Sequence, residues 1–184
     1  MEPSLKGQVA FVTGASGGLG EHFARLLARE GAAVALTARR LEMVEATARQ
    51  IEAEGGRAIA LALDVADAAS IAPIMDKAEA ALGPISILVN NAGVGGEGLA
   101  LDLSVEEFDR TFDVNVRGVF FAAQAAARRM IAAGIEGRIV NVASIASHTV
   151  LPGLSAYCSS KAAVAMLTKS LAREWARKGL AVNA

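Results

Sequence analysis

With 184 residues, 53% of them apolar, and a formal net charge of −1, the chain has the size of one domain and enough apolar content to bury a core. No basic run exceeds Arg39-Arg40, which excludes the electrostatic footprint of a nucleic-acid binder, and no apolar run approaches the ~18–20 residues a membrane helix needs. The single cysteine, Cys158, excludes an internal disulfide and a cysteine-rich metal site, and His22 and His148 are too few and too far apart for zinc. The first residues, Met-Glu-Pro-Ser-Leu-Lys-Gly, lack the charged-then-apolar layout of a secretory signal, so a cytoplasmic location is expected.

Short β-rich apolar runs alternate with long Ala-rich amphipathic segments, the pattern of a doubly wound α/β fold: a parallel sheet with helices on both faces, in three α/β/α layers. The first strand reads Val9–Thr13. It runs into Thr13-Gly14-Ala15-Ser16-Gly17-Gly18-Leu19-Gly20 and a helix over 18–30. Glycines between a strand and a helix permit a tight turn and close backbone approach, so that a pyrophosphate can rest on the helix N-terminus. The spacing reads equally as T-G-x-x-x-G-x-G through Gly14, Gly18 and Gly20 and as T-G-x-x-G-x-x-G through Gly14, Gly17 and Gly20.

The second strand, Ala33–Ala38, carries no acid where an NAD site holds the ribose 2′-hydroxyl, and Arg39 and Arg40 follow at once. Guanidinium suits a 2′-phosphate through paired donors, so NADP(H) is expected in preference to NAD(H). A helix over 41–54, a strand Ala58–Leu63, a helix over 68–82 and a strand Ile85–Asn90 come next. Ser104-Val-Glu-Glu107 is a capping-box start for an apolar stretch over 104–133, and Gly134 is a stop for it. That stretch is too long for an average helix and is expected to break near Asn115. A strand Arg138–Ala143, a helix over 155–178 and a strand Leu180–Ala184 complete the order, and all six strands read as continuous apolar runs, as strands buried on both faces should.

In the helix 155–178, Tyr157 and Lys161 stand four apart and so share a face, with β-carbons roughly 5–6 Å apart. At an effective dielectric near 20, an ammonium that close favours a phenolate by about 3 kcal/mol. A tyrosine so placed can donate or accept a proton.

Taken together, Thr13-Gly14-x-x-x-Gly18-x-Gly20, Asp64-Val65, Asn90-Asn91-Ala92-Gly93, Asn115, Ser144 and Tyr157-x-x-x-Lys161 resemble the short-chain dehydrogenase/reductase family, in its single-domain subgroup, similar to 3-oxoacyl-[acyl-carrier-protein] reductases and related alcohol dehydrogenases. Asn90–Gly93 favours the first glycine spacing and, with the length, disfavours the larger sugar-nucleotide epimerases. The resemblance implies an oxidoreductase that moves a hydride between NADP(H) and a secondary alcohol, ketone or 3-oxoacyl compound.

It implies Tyr157 as general acid and base, Lys161 as the cation that acidifies it and holds the nicotinamide ribose, and Ser144 as a donor to the same substrate oxygen. Asn115 would hold a water linking Lys161 to solvent. Gly14, Ser16, Gly18, Leu19, Gly20, Arg39, Arg40, Asp64, Val65, Asn91, Ala92 and Gly93, with Tyr157 and Lys161, would contact the cofactor.

Taken singly, Ser144 and Asp64 read as turn or cap residues, Asn90 as structural, His148 as a solvated loop residue and Cys158 as a packing residue. Phe108, Phe112, Phe120 and Phe121 read as core or subunit contact. The loops 94–101 and 145–155 are expected to shape the substrate pocket, and their apolar character favours an uncharged or lipophilic carbonyl compound. The expected domain is 1–184, binding the dinucleotide and carrying the catalytic residues. The family's seventh strand and substrate-covering cap are absent from it, which implies a longer chain or a dinucleotide-binding scaffold without turnover. A homodimer or homotetramer is expected from the apolar faces of 104–133 and 155–178.

Overall fold

Strands β1 (Val9–Thr13), β2 (Ala33–Ala38), β3 (Arg57–Ala62), β4 (Ile87–Asn90), β5 (Gly137–Asn141) and β6 (Leu180–Asn183) form one six-stranded sheet in the order β3-β2-β1-β4-β5-β6. Every pairing is parallel. The computed structural model describes residues 4–96 and 98–184. The first three residues, and Glu97 of the expected substrate loop, lie outside the described residues. The strand order reverses between β1 and β4, and open parallel sheets bind ligands at the carboxyl ends of strands at such a switch point.

Two cores sandwich the sheet. On one face α1 (Gly18–Arg29) and α2 (Leu41–Ala53) pack over Ala10, Val12, Val34, Leu36, Ile87 and Val89. On the other, α3 (Ala68–Leu82), α5 (Val119–Ala132) and α6 (Ser155–Trp175) pack over Phe11, Leu88, Ile139, Leu180 and Val182. β1, β2 and β4 are buried on both faces, as their unbroken apolar runs require. β5 departs from that expectation and alternates. Its Arg138 and Val140 lie beside Ile87 and Val89 in register, yet Val140 is 40% exposed. The α1–α2 layer ends over β4, and no described helix covers that face of β5.

The long apolar stretch is three elements. Ser104 caps α4 (Val105–Phe112) by accepting from the Glu107 N–H at 3.1 Å. The Glu107 carboxylate pairs with Arg110 rather than reaching back, so only half of the capping box forms. A π turn over Asp113–Gly118 then breaks the helix, with Asn115 inside it. Helix α5 ends in a Schellman motif: Gly134, at φ +65°, donates to Ile131, and Ile135 donates to Met130. Gly118 lets this segment lie against the loop that follows β3, since a Cβ there would stand 2.9 Å from the Val65 carbonyl oxygen.

Candidate active site

The glycine turn after β1 folds onto the exit of β4. The Thr13 hydroxyl accepts from the N–H groups of Asn91 and Ala92, and the Asn91 amide donates to the carbonyls of Thr13 and Gly14. Two glycines are demanded by contact. A Cβ on Gly14 would stand 2.7 Å from the Ala92 Cα, and one on Gly20 would stand 2.3 Å from the Gly14 carbonyl oxygen. Gly18 is demanded by conformation, with φ +55°, whereas Gly17 is extended and meets nothing within 4 Å. These constraints match the spacing Gly14-x-x-x-Gly18-x-Gly20. No side chain caps α1, so its first N–H groups are left for an anion.

A cavity of about 680 Å³ opens beside this turn, along the carboxyl ends of β1 to β4. Gly14, Ser16, Arg39, Arg40, Asp64, Val65, Asn91, Ala92 and Gly93 all line it, while Gly18, Leu19 and Gly20 support the turn without facing it. Arg40 Nη2 donates to Ser16 Oγ at 3.2 Å, so a guanidinium and a hydroxyl converge where β2 ends. Asp64 accepts from the Ala66 N–H at 3.0 Å, the turn role its sequence position suggests.

The helix bearing Tyr157 and Lys161 meets the far wall. Lys161 is 5% exposed, and its ammonium donates to the Val142 carbonyl at 2.7 Å. Burial pushes that ammonium below the ordinary lysine range. Its Nζ lies 5.8 Å from the centre of the Tyr157 ring, on the shared helix face. The space beside Gly93 is bounded by Asn115 Oδ1 and Lys161 Nζ, at 3.4 and 3.6 Å from where a Cβ would stand. The cation therefore borders both the tyrosine and the cavity wall.

A family model described as short chain dehydrogenase matches residues 8–184. This chain belongs to the short-chain dehydrogenase family. It is 41% identical over 180 residues to gluconate 5-dehydrogenase of Gluconobacter oxydans, covering 98% of this chain and 70% of that protein. It is 42% identical over 179 residues to D-threitol dehydrogenase of Mycolicibacterium smegmatis, covering 97% and 68%. The crystal structure of a gluconate 5-dehydrogenase from Burkholderia cenocepacia, in complex with NADP and tartrate, superposes with a TM-score of 0.93 at 38% identity, over 99% of this chain and 71% of that one. The chain is an NAD(P)-dependent oxidoreductase acting on CH–OH groups.

The other predicted site residues of this dehydrogenase are placed as follows. Ser144 caps a 3-10 turn over Ile145–Ser147, its oxygen accepting from the Ala146 N–H at 3.1 Å, which leaves its O–H proton free to donate. Ser144 and His148 line a second cavity of about 690 Å³, beyond β5 and α6. The Asn115 amide is fully engaged: Oδ1 accepts from the Val94 N–H at 2.8 Å, and Nδ2 donates to the Val94 carbonyl and to Ser160 Oγ, both at 3.0 Å. Asn90 donates to the Val119 carbonyl and to Asn141, a cross-sheet tie in keeping with a structural part.

Of the four phenylalanines only Phe120 packs against the core, and it is only partly buried. Phe108 is 43% and Phe121 36% exposed, and Phe112 and Phe120 line an open apolar groove between the π turn and α6. Sequence reasoning missed Asn141, Thr168 and Ser160, all buried and hydrogen-bonded. Ser160 had one signal, its place between Tyr157 and Lys161; Asn141 and Thr168 had none. Among the described residues, no group of acids, histidines and cysteine could hold a metal, and no helix is long and apolar enough to cross a membrane.

Proposed function

We propose that this chain interconverts a secondary alcohol and a ketone with NADP(H), using Tyr157 as general acid and base. The observation that carries the reading is the buried Lys161 ammonium, anchored on the Val142 carbonyl between the Tyr157 ring and the Gly93 wall of the cavity. The uncapped start of α1 suits the pyrophosphate, and Arg39 and Arg40 suit a 2′-phosphate where an acid would select NAD. Asp64 and Val65 border the adenine end, and Asn91, Ala92 and Gly93 the middle.

When bound, the nicotinamide supplies or takes up the hydride. In reduction Tyr157 Oη gives its proton to the substrate oxygen, and in oxidation it takes the proton back. The Lys161 ammonium, 5.8 Å from the centre of the Tyr157 ring, would hold the cofactor ribose. The free O–H of Ser144 donates to the same substrate oxygen, a neutral donor aimed at developing negative charge. The Asn115 side-chain amide, with its oxygen and nitrogen both engaged, holds Val94 and Ser160 in place rather than a water.

Exposed Leu99, Leu101, Ile145 and Val150 on the two loops favour an uncharged substrate, and the names of the relatives bring polyols and sugar acids into consideration. We read 1–184 as one domain that carries its own catalytic residues, working in the cytoplasm as a homo-oligomer.

The decisive experiment follows NADPH oxidation with a panel of ketones, keto-sugars and 3-oxoacyl thioesters, and NADP+ reduction with the matching alcohols. Tyr157→Phe is expected to lower turnover by roughly 10²–10⁴ while NADPH affinity stays nearly intact. Cofactor binding without turnover anywhere in the panel would favour a dinucleotide-binding scaffold instead.

A further inference from the structure

Two segments far apart in sequence meet at one hydroxyl group, and Asn115 ties a third to them. Ser160 is fully buried in α6, one residue before Lys161. Its oxygen accepts from Asn115 Nδ2 at 3.0 Å, and its proton goes to the Tyr157 carbonyl at 2.8 Å. Asn115 in turn holds both the N–H and the carbonyl of Val94. Val94 and Val114, the neighbour of Asn115 in the π turn, line the nucleotide cavity.

The carbonyl of Tyr157 lies in the first turn of α6 and has an intrahelical partner position four residues on, so the bond from Ser160 is not needed to satisfy it. The Asn115 amide is different. Buried at 0% exposure, its Nδ2 has two protons and only two acceptors, the Val94 carbonyl and Ser160 Oγ. Removing the Ser160 oxygen strands one of them, and the cheapest relief is a rotation of the amide or a shift of the π turn. Either change moves Val94, and with it the wall against which a nicotinamide would lie. It also moves Asn115 Oδ1, which borders the same space beside Gly93 as Lys161 Nζ.

We propose that Ser160 is a positioning residue for proton transfer: through Asn115, its hydroxyl sets the helix carrying Tyr157 and Lys161 in register with the Asn91–Val94 wall of the nucleotide cavity. It touches neither substrate nor cofactor. The proposal rests on the oxidoreductase reading given above.

The test compares Ser160→Ala and Ser160→Thr with the parent enzyme by kinetics and by amide hydrogen exchange. Ser160→Ala is expected to lower kcat about tenfold, the loss that goes with one orienting hydrogen bond, with NADPH affinity changed by less than about twofold and a displaced pH–rate profile. Ser160→Thr keeps the oxygen and is expected to restore most of the loss. Exchange at the Val94 amide is expected to quicken in Ser160→Ala while exchange in β1 and β4 stays as in the parent.

A kcat within about twofold of the parent, or a threonine variant no better than the alanine one, overturns the proposal. If Ser160→Ala does not fold, Ser160→Cys, of similar size but a poor acceptor, takes its place in every comparison. The exchange measurement needs no substrate. A parent without turnover therefore refutes the oxidoreductase reading alone, while unchanged Val94 exchange refutes the Ser160 linkage alone.

Discussion

A methyl group at Gly20 has nowhere to go, because the Gly14 carbonyl oxygen and the Asn91 amide occupy the only space it could take, at 2.3 and 2.4 Å. Both belong to the clasp that holds the glycine turn on the exit of β4, so neither can retreat without opening it. Gly20→Ala is therefore expected to cost about 1–3 kcal/mol of stability by overpacking, whereas Gly17→Ala, facing open space from extended backbone, is expected to cost little. Denaturant midpoints of the two variants check the contrast. At the rim of the same cavity, Arg39 is the side chain not engaged with Ser16. Arg39→Ala is expected to weaken NADPH about ten- to a hundredfold, the worth of charge-assisted bonds to a phosphate, and hardly to change NADH. Equal weakening of both nucleotides, measured by titration, would remove the basis for an NADP preference.

Between elements, buried amides and hydroxyls link what the apolar layers only press together. Asn90 at the end of β4 donates to Asn141 at the end of β5, Asn141 donates to Thr168 in α6, and Thr168 donates to the Val164 carbonyl. Each bond has one direction, set by the last, since Thr168 can give its only proton just once. This run holds α6, and so Tyr157 and Lys161, at a set height over the sheet. Thr168→Val conserves shape but leaves the Asn141 amide without an acceptor, and about 1–3 kcal/mol of stability is expected to go with it. Thr168→Ser keeps the acceptor and is expected to lose less; thermal or urea unfolding distinguishes the two.

For the whole molecule, an unpartnered apolar surface lies along the π turn, α5 and α6. Phe112, Val116, Phe120, Ala163, Met166 and Leu167 line an open groove there, with Met166 62% exposed; Phe108 stacks on Phe112, and Phe121 meets Phe120 edge-on. A second copy of this chain could cover that face, and the proposed homo-oligomer is expected to elute well ahead of an 18.9 kDa monomer. Met166→Asp is expected to move the elution towards the monomer without changing the far-ultraviolet circular dichroism. A parent that already elutes as a monomer would sink the assembly.

The amino-acid order alone determined whatever depends on neighbours along the chain. Alternation of apolar strands with amphipathic helices announced a doubly wound parallel sheet, and the excessive length of 104–133 announced the break that the π turn supplies. One helical turn between Tyr157 and Lys161 placed them on a common face. The rest depends on groups that meet only when the chain closes. Whether Gly17 or Gly18 is the demanded glycine rests on a backbone angle, and the demand at Gly14 and Gly20 on the approach of Asn91 and Ala92. The half-bare face of β5, the Asn141–Thr168 bond and the hold of Ser160 on Asn115 are equally tertiary. A hydrogen bond between residues 27 or 45 positions apart leaves no periodicity in the sequence, because its geometry is set by how the layers pack rather than by either segment alone.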